Sequence, residues 1–174
     1  MYGICCLTDK TLFPCSYSMS FYFFRALEEV ELYEDTYSLW RVWFDLLDMH
    51  LTTWPEDSVT QRSDCHGWGS IALYEMSACI LGVKPLEPGM RHLLIEPKQM
   101  ALPEVEGAVP TAGGIVKVKR TVKNGSMRLE IVLPEVIDAL VRLPSEKHEI
   151  SGPGHFVFLS SLNCMEGTDK TIIA

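Results

Sequence analysis

The sequence predicts an α+β chain in two parts, N-terminal α-helices followed by a small antiparallel β-sandwich. Two patterns carry this reading. Apolar residues recur at three- and four-residue spacing from Met19 to Gly82, whereas from Arg91 to Ser160 they alternate in short runs between turn signals. Composition supports it: 47% of the 174 residues are hydrophobic and 22% charged, with a mean hydropathy of +0.10. That is enough apolar surface for a core, and it excludes a disordered or collagen-like chain. The division falls into a helical part over 1–84, a sandwich over 85–160 and a tail over 161–174.

The first helix is expected over Ser20–Leu32, with Phe21, Phe24, Leu27 and Val30 on an apolar face and Glu28, Glu29 and Glu31 elsewhere. Glu34-Asp35-Thr36 reads as a turn whose Asp or Thr caps the next helix, Tyr37–Met49. Leu39, Trp40, Trp43, Phe44, Leu46 and Leu47 cover most of that helix's circumference, which predicts burial on more than one face. A third helix is expected over Trp68–Leu81, stopped by Gly82 and the prolines Pro85 and Pro88. Between the second and third helices runs a long irregular stretch, Leu51–Gly67. Connections of that length in a compact domain are usually functional or disordered, and this one mixes aromatic and ionisable residues, which argues against a linker.

Strands are expected over His92–Glu96, Val105–Val109, Ile115–Val122, Met127–Leu133, Ala139–Leu143 and His155–Leu159. Lys123-Asn124-Gly125-Ser126 is a hairpin signal, since Asn-Gly tolerates the positive φ of a type I′ turn. Lys117, Lys119 and Lys123 read as a solvated strand face.

The net charge of −8 and pI near 5.1 are the wrong sign for neutralising phosphates, so no nucleic-acid partner is expected. The most apolar stretch, Met19–Leu27, is interrupted by Arg25 and falls short of the ~20 residues a bilayer requires, so no membrane span is expected. Asp9 and Lys10 break the N-terminal apolar run, which does not read as a signal peptide. The chain is expected to be cytosolic, or to have its true start upstream. The six cysteines form no C-x-x-C pair and read as free thiols. The five histidines lack ligand-like spacing, so neither a metal nor another cofactor is expected.

Chemistry is concentrated in Leu51–Gly67 and the residue after it. Glu56, Asp57 and Asp64 are carboxylates set among Trp54 and Trp68. Carboxylates flanked by aromatics suit glycosidic-bond hydrolysis, in which one acid protonates the leaving oxygen and a base activates water or attacks. The tryptophans would stack on a sugar, with Arg62 and His66 donating to its hydroxyls.

Thr52-Thr53-Trp54-Pro55-Glu56 followed by Arg62-Ser63-Asp64-Cys65-His66-Gly67-Trp68 resembles the end of the catalytic domain of bacterial α-L-rhamnosidases, glycoside hydrolase family 78, which carry T-T-x-x-E and then S-x-x-H-[AG]-W. Leu81-Gly82-Val83-Lys84-Pro85 with Pro88-Gly89 resembles the family's link. Ile95-Glu96-Pro97, Gly107, Thr111–Gly114 and Leu133-Pro134 resemble its C-terminal sandwich, and Cys15-Ser16, Phe21-Tyr22 and Ala26-Leu27 a preceding helix. The similarity runs over residues 15–158. The resemblance implies an (α/α)6 barrel with flanking β-sandwiches and hydrolysis of terminal α-L-rhamnosyl bonds with inversion, on rhamnose-containing glycosides or polysaccharides. It makes Glu56 the general base and places His66 and Trp68 in the sugar pocket; Trp54, Arg62 and Asp64 remain substrate-binding candidates on the residue types of the loop alone.

Two departures stand out. Pro55 occupies a position that is often aromatic or alanine in the family. A twelve-helix barrel also needs on the order of 300 residues, whereas this chain offers three helices, and the family's general acid lies upstream of anything present. Asp57 and Asp64 are in the same loop as Glu56, poorly placed to act from across the sugar. The chain is therefore expected to be a C-terminal fragment, a remnant of the barrel plus the terminal sandwich. It should be inactive alone, and self-associating through exposed barrel helices, since Phe21, Phe23, Phe24, Trp40, Trp43 and Phe44 are many large aromatics for three helices to hide. A cytoplasmic or exported bacterial location fits equally. The competing expectations are a non-catalytic carbohydrate-binding or structural sandwich, and an (α/α)6 glycosidase of other sugar specificity.

Overall fold

The computed structural model describes residues 15–57 and 63–162. They form two compact units: residues up to Gly82 together with Pro97–Ala101, and residues Val83–Glu96 together with those from Leu102 on. The chain is α+β, with three short α-helices and two four-stranded sheets among the described residues. None of the helices described is long and apolar enough to cross a membrane.

In the helical unit, α1 spans Tyr17–Glu29 and begins at Ser16, whose Oγ accepts from the Met19 N–H at 3.4 Å. The expected turn at Glu34-Asp35-Thr36 lies instead inside a 3₁₀ helix, Tyr33–Trp40, which leads into α2, Arg41–Asp48. Hydroxyls explain the tighter winding. Thr36 Oγ1 donates to the Tyr33 carbonyl at 2.7 Å and Ser38 Oγ to the Asp35 carbonyl at 3.2 Å, competing for acceptors that an α-helix would use. Helix α2 is one-sided, not buried all round: Trp43 and Leu46 are buried, while Phe44 is 46% and Leu47 67% exposed. The third helical segment is composite, a 3₁₀ turn Gly67–Ser70, then α3, Ile71–Glu75, then a π-turn, Met76–Ile80.

An aromatic cluster forms the centre of this unit. The Phe24 ring lies 6.0 Å from those of both Trp40 and Trp43, which are 5.7 Å apart, and Tyr17 sits 5.6 Å from Trp43, in tilted geometries that favour ring quadrupoles. Thus Phe24, Trp40 and Trp43 are hidden, Phe21 and Phe23 half-buried, and Phe44 exposed.

The second unit carries eight strands. In order they are β1 (Val83–Pro85), β2 (His92–Ile95), β3 (Glu104–Thr111), β4 (Gly114–Lys123), β5 (Ser126–Leu133), β6 (Asp138–Arg142), β7 (Lys147–Ser151) and β8 (Gly154–Ser161). They pair as β1-β2-β6-β7 and β3-β4-β5-β8. Strands β1 and β7 are additions to the sequence reading. Each is short, and β7 (KHEIS) has only one residue of strong strand preference. The expected all-antiparallel pairing is corrected at one place: β2 and β6 run parallel, with Leu93 opposite Ala139 and Ile95 opposite Val141. The chain leaves β2, builds β3–β5, and returns beside β2 in the same direction, the long crossover that parallel neighbours require.

Alternation sorts the faces. Val116 and Val118 on β4, Leu129, Ile131 and Leu133 on β5, Leu93 and Ile95 on β2, and Ala139 and Val141 on β6 are all buried. Each sheet therefore has one apolar face, the condition for a sandwich core. Asn124 and Gly125 both have positive φ, 51° and 71°, as a type I′ hairpin turn between β4 and β5 demands. Ser161 closes β8, the Leu162 N–H donates to the Gly125 carbonyl at 2.7 Å, and the remainder of the tail lies outside the described residues.

Candidate functional site

Residues 52–57 and 63–68 are separate in sequence and adjacent in space. The Glu56 N–H donates to the Ser63 carbonyl at 2.9 Å, and the His66 N–H to the Trp54 carbonyl at 2.6 Å. These two rungs pair the arm that carries Trp54 and Glu56 with the arm that carries His66. The His66 carbonyl then accepts from the Gly69 N–H at 2.8 Å, opening the 3₁₀ turn, and Ser70 Oγ donates to the Gly67 carbonyl at 2.6 Å. The His66 ring meets the Trp68 ring edge to face, centroids 5.7 Å apart. Trp68 is 74% exposed, which is rare for so large an apolar ring without a partner to stack on. Glu56 and His66 are half-buried, Pro55 is buried, and Asp64 is exposed. The arrangement offers a carboxylate, an imidazole and two indoles on one short ladder.

Elsewhere in the same unit, Glu75 is completely buried. Arg25 Nη2 donates to its two oxygens at 2.7 and 2.5 Å, and the Tyr33 hydroxyl donates at 2.7 Å. Arg25 also pairs with Glu28, and Lys98 Nζ lies 3.5 Å from Glu28. Burial, the charge of Cys79 and Glu75, and the hydrogen bond to Glu75 hold the Tyr33 hydroxyl far above the ordinary tyrosine range. Two cations and two carboxylates thus balance one another, and the Lys98 N–H donates to the Cys79 carbonyl at 2.9 Å within the π-turn.

Residues 82–157 match the family model described as bacterial alpha-L-rhamnosidase C-terminal domain. Over these residues the chain is similar to that family. The fold extends the likeness. The chain superposes on the native alfa-L-rhamnosidase of Aspergillus terreus with a TM-score of 0.67 at 20% identity, over 81% of this chain and 18% of that one. For the Streptomyces avermitilis alpha-L-rhamnosidase complexed with L-rhamnose the values are 0.65 and 18%, over 79% and 17%. For the alpha-L-rhamnosidase of Dictyoglumus thermophilum they are 0.61 and 19%, over 74% and 16%. The chain therefore spans less than a fifth of each of these structures. Comparison with curated proteins gives no match.

The rhamnosidase C-terminal domain takes up fewer than half of the 174 residues, so superpositions over three-quarters or more of the chain take in much of the helical unit too. Of the site residues expected from the sequence, Trp54, Glu56 and His66 lie on the two arms that these backbone bonds join, and the ring contact adds Trp68. Asp64 is on the ladder's second arm but exposed, and Arg62 lies outside the described residues. Among the described residues no cluster of three or more His, Cys, Asp or Glu side chains is arranged to hold a metal. Cys15, Cys65 and Cys79 are in no disulfide, and Cys79 Sγ accepts from Arg25 Nη2 at 3.2 Å. The Glu75 network escaped the sequence reading, although a signal existed: Ala72, Glu75 and Cys79 share a helical stripe, and a carboxylate inside an apolar stripe requires a buried partner.

Proposed function

We propose that this chain is the C-terminal part of an inverting α-L-rhamnosidase, in which the helical unit contributes the last helices of an (α/α)6 barrel and Glu56 is the general base. The observation that supports this is the two-rung backbone ladder, which ties the arm of Trp54 and Glu56 to the arm that leads to the His66–Trp68 pair, ahead of a β-unit similar to the rhamnosidase C-terminal domain. In the reaction the Glu56 carboxylate accepts a proton from water as the water attacks the anomeric carbon. A carboxylic acid from the upstream part of the enzyme protonates the departing oxygen on the opposite face. The two groups stand about 6.5–9.5 Å apart so that the water fits between sugar and base. Trp54 and Trp68 provide faces for the deoxy-sugar ring and its methyl group, and His66, Arg62 and Asp64 hydrogen-bond its hydroxyls. The chain on its own lacks the acid and is inactive.

The test is hydrolysis of an aryl α-L-rhamnoside by the parent polypeptide and by the 174-residue chain. The chain alone should be inactive, and Glu56→Gln in the parent should lower kcat by about 10²–10⁴ with KM nearly unchanged, since a base acts in the transition state. Full activity of Glu56→Gln would remove Glu56 from the mechanism. Cleavage of a different glycoside in preference to rhamnosides would transfer the enzyme to another specificity. The family match stops short of the ladder, which favours as second reading a sandwich that binds carbohydrate without catalysis. Sugar binding that survives Glu56→Gln, with no hydrolysis by any parent polypeptide, would establish it.

A further inference from the structure

We infer that Trp43 and Gly69 are positioning residues for Glu56, forming a clamp from behind the loop; this rests on the proposed role of Glu56 as base. The Trp43 indole is buried and its Nε1–H donates to the Gly69 carbonyl at 3.1 Å. That bond ties the 3₁₀ turn Gly67–Ser70 to α2, and the Tyr17 ring of α1 packs on the indole at 5.6 Å. Gly69 in turn leaves no gap to Pro55. A Cβ placed on Gly69 would stand 2.8 Å from the Pro55 carbonyl oxygen, 3.2 Å from Trp54 Cβ and 3.7 Å from Tyr17 Cβ. The first distance is to backbone, which cannot swing aside. Pro55 is the residue on which Glu56 hangs, and its fixed φ passes any displacement onward. The backbone next to the base is thus held by the ladder bonds with Ser63 and His66 and, through Gly69, by Trp43. Neither clamp residue has to touch sugar. Their effect is to hold the carboxylate where a water can be aligned, and misplacement by an ångström is enough to slow such a reaction strongly.

The experiment compares Trp43→Phe, which keeps a ring and removes the donor, with Gly69→Ala, which pushes on Pro55. Hydrogen exchange is read by mass spectrometry in the 174-residue chain on peptides spanning 52–57 and 63–70. Peptides from α1 and β5 report whether each unit remains folded. In at least one variant that keeps α1 and β5 protected, exchange in the two loop peptides should quicken about tenfold, the loss of a local hydrogen bond. In the parent polypeptide the same variant should lower kcat about tenfold or more while KM stays within about twofold. Unchanged loop exchange in both variants would abolish the clamp. Quickened exchange with unchanged kcat would leave a structural tie and overturn the positioning role. An active Glu56→Gln parent would fell the catalytic reading separately, since the exchange result is obtained without any substrate.

Discussion

At the scale of single residues, Glu75 is the most consequential side chain outside the ladder. A buried carboxylate is tolerable only with its charge matched and its lone pairs occupied, and Arg25 and Tyr33 meet both needs. Glu75→Ala should therefore cost about 3–5 kcal/mol in urea unfolding, because it removes the buried carboxylate that both Arg25 and the Tyr33 phenol are bonded to. The same site makes stability fall at high pH. The raised pKa of Tyr33 means that the folded state holds its phenolic proton more tightly than the unfolded state does. Its contribution is complete below about pH 10, where an unfolded tyrosine begins to ionise, and is lost as the pH rises beyond that. Unfolding midpoints at pH 8 and pH 11 should thus diverge more for the native sequence than for Tyr33→Phe. Equal divergence would mean that Tyr33 is not the group responsible.

At the scale of elements, close approach decides more than propensity. Gly152, between β7 and β8, has its N–H on the Ile137 carbonyl at 2.9 Å, and a Cβ there would lie 1.9 Å from the Pro134 carbonyl oxygen. Gly152→Ala should therefore cost more than about 2 kcal/mol, at the severe end for a single methyl group, and calorimetry of the variant checks it. The β-half was largely readable beforehand. Each predicted strand lies within two residues of the observed ends or inside them, because period-two alternation and Asn124-Gly125 are local signals. The helical half was readable in kind but not in detail. Burial of Trp40 and Trp43 with exposure of Phe44 and Leu47 depends on which neighbours the helices meet, and the 3₁₀ and π turns depend on hydroxyl competition and on long-range partners such as Lys98. Motif order pointed to Glu56, His66 and Trp68. No periodicity foretold that Gly69 would press on Pro55.

At the scale of the whole chain, the helical unit leaves several large apolar side chains in solvent. Phe44, Leu47, Met49, Leu73 and Met76 are all exposed. In the proposed parent enzyme other barrel helices cover them. Alone, the chain should self-associate, and sedimentation velocity should show weight-average mass rising with concentration. The double substitution Phe44→Glu, Leu47→Lys should restore a monomer of 19.6 kDa. A native chain monomeric at all concentrations would mean that this face requires no cover. The parallel pairing of β2 with β6 has a different consequence, one of timing. Strands β3, β4 and β5 are consecutive and join through tight turns, so they can assemble as soon as they leave the ribosome. Strand β2 is made before all of them, yet its second neighbour begins only at Asp138. Throughout that interval the emerging chain carries an open strand edge flanked by Leu93 and Ile95, the kind of template on which nascent chains aggregate. The sandwich thus has its most vulnerable moment before its last third has been synthesised.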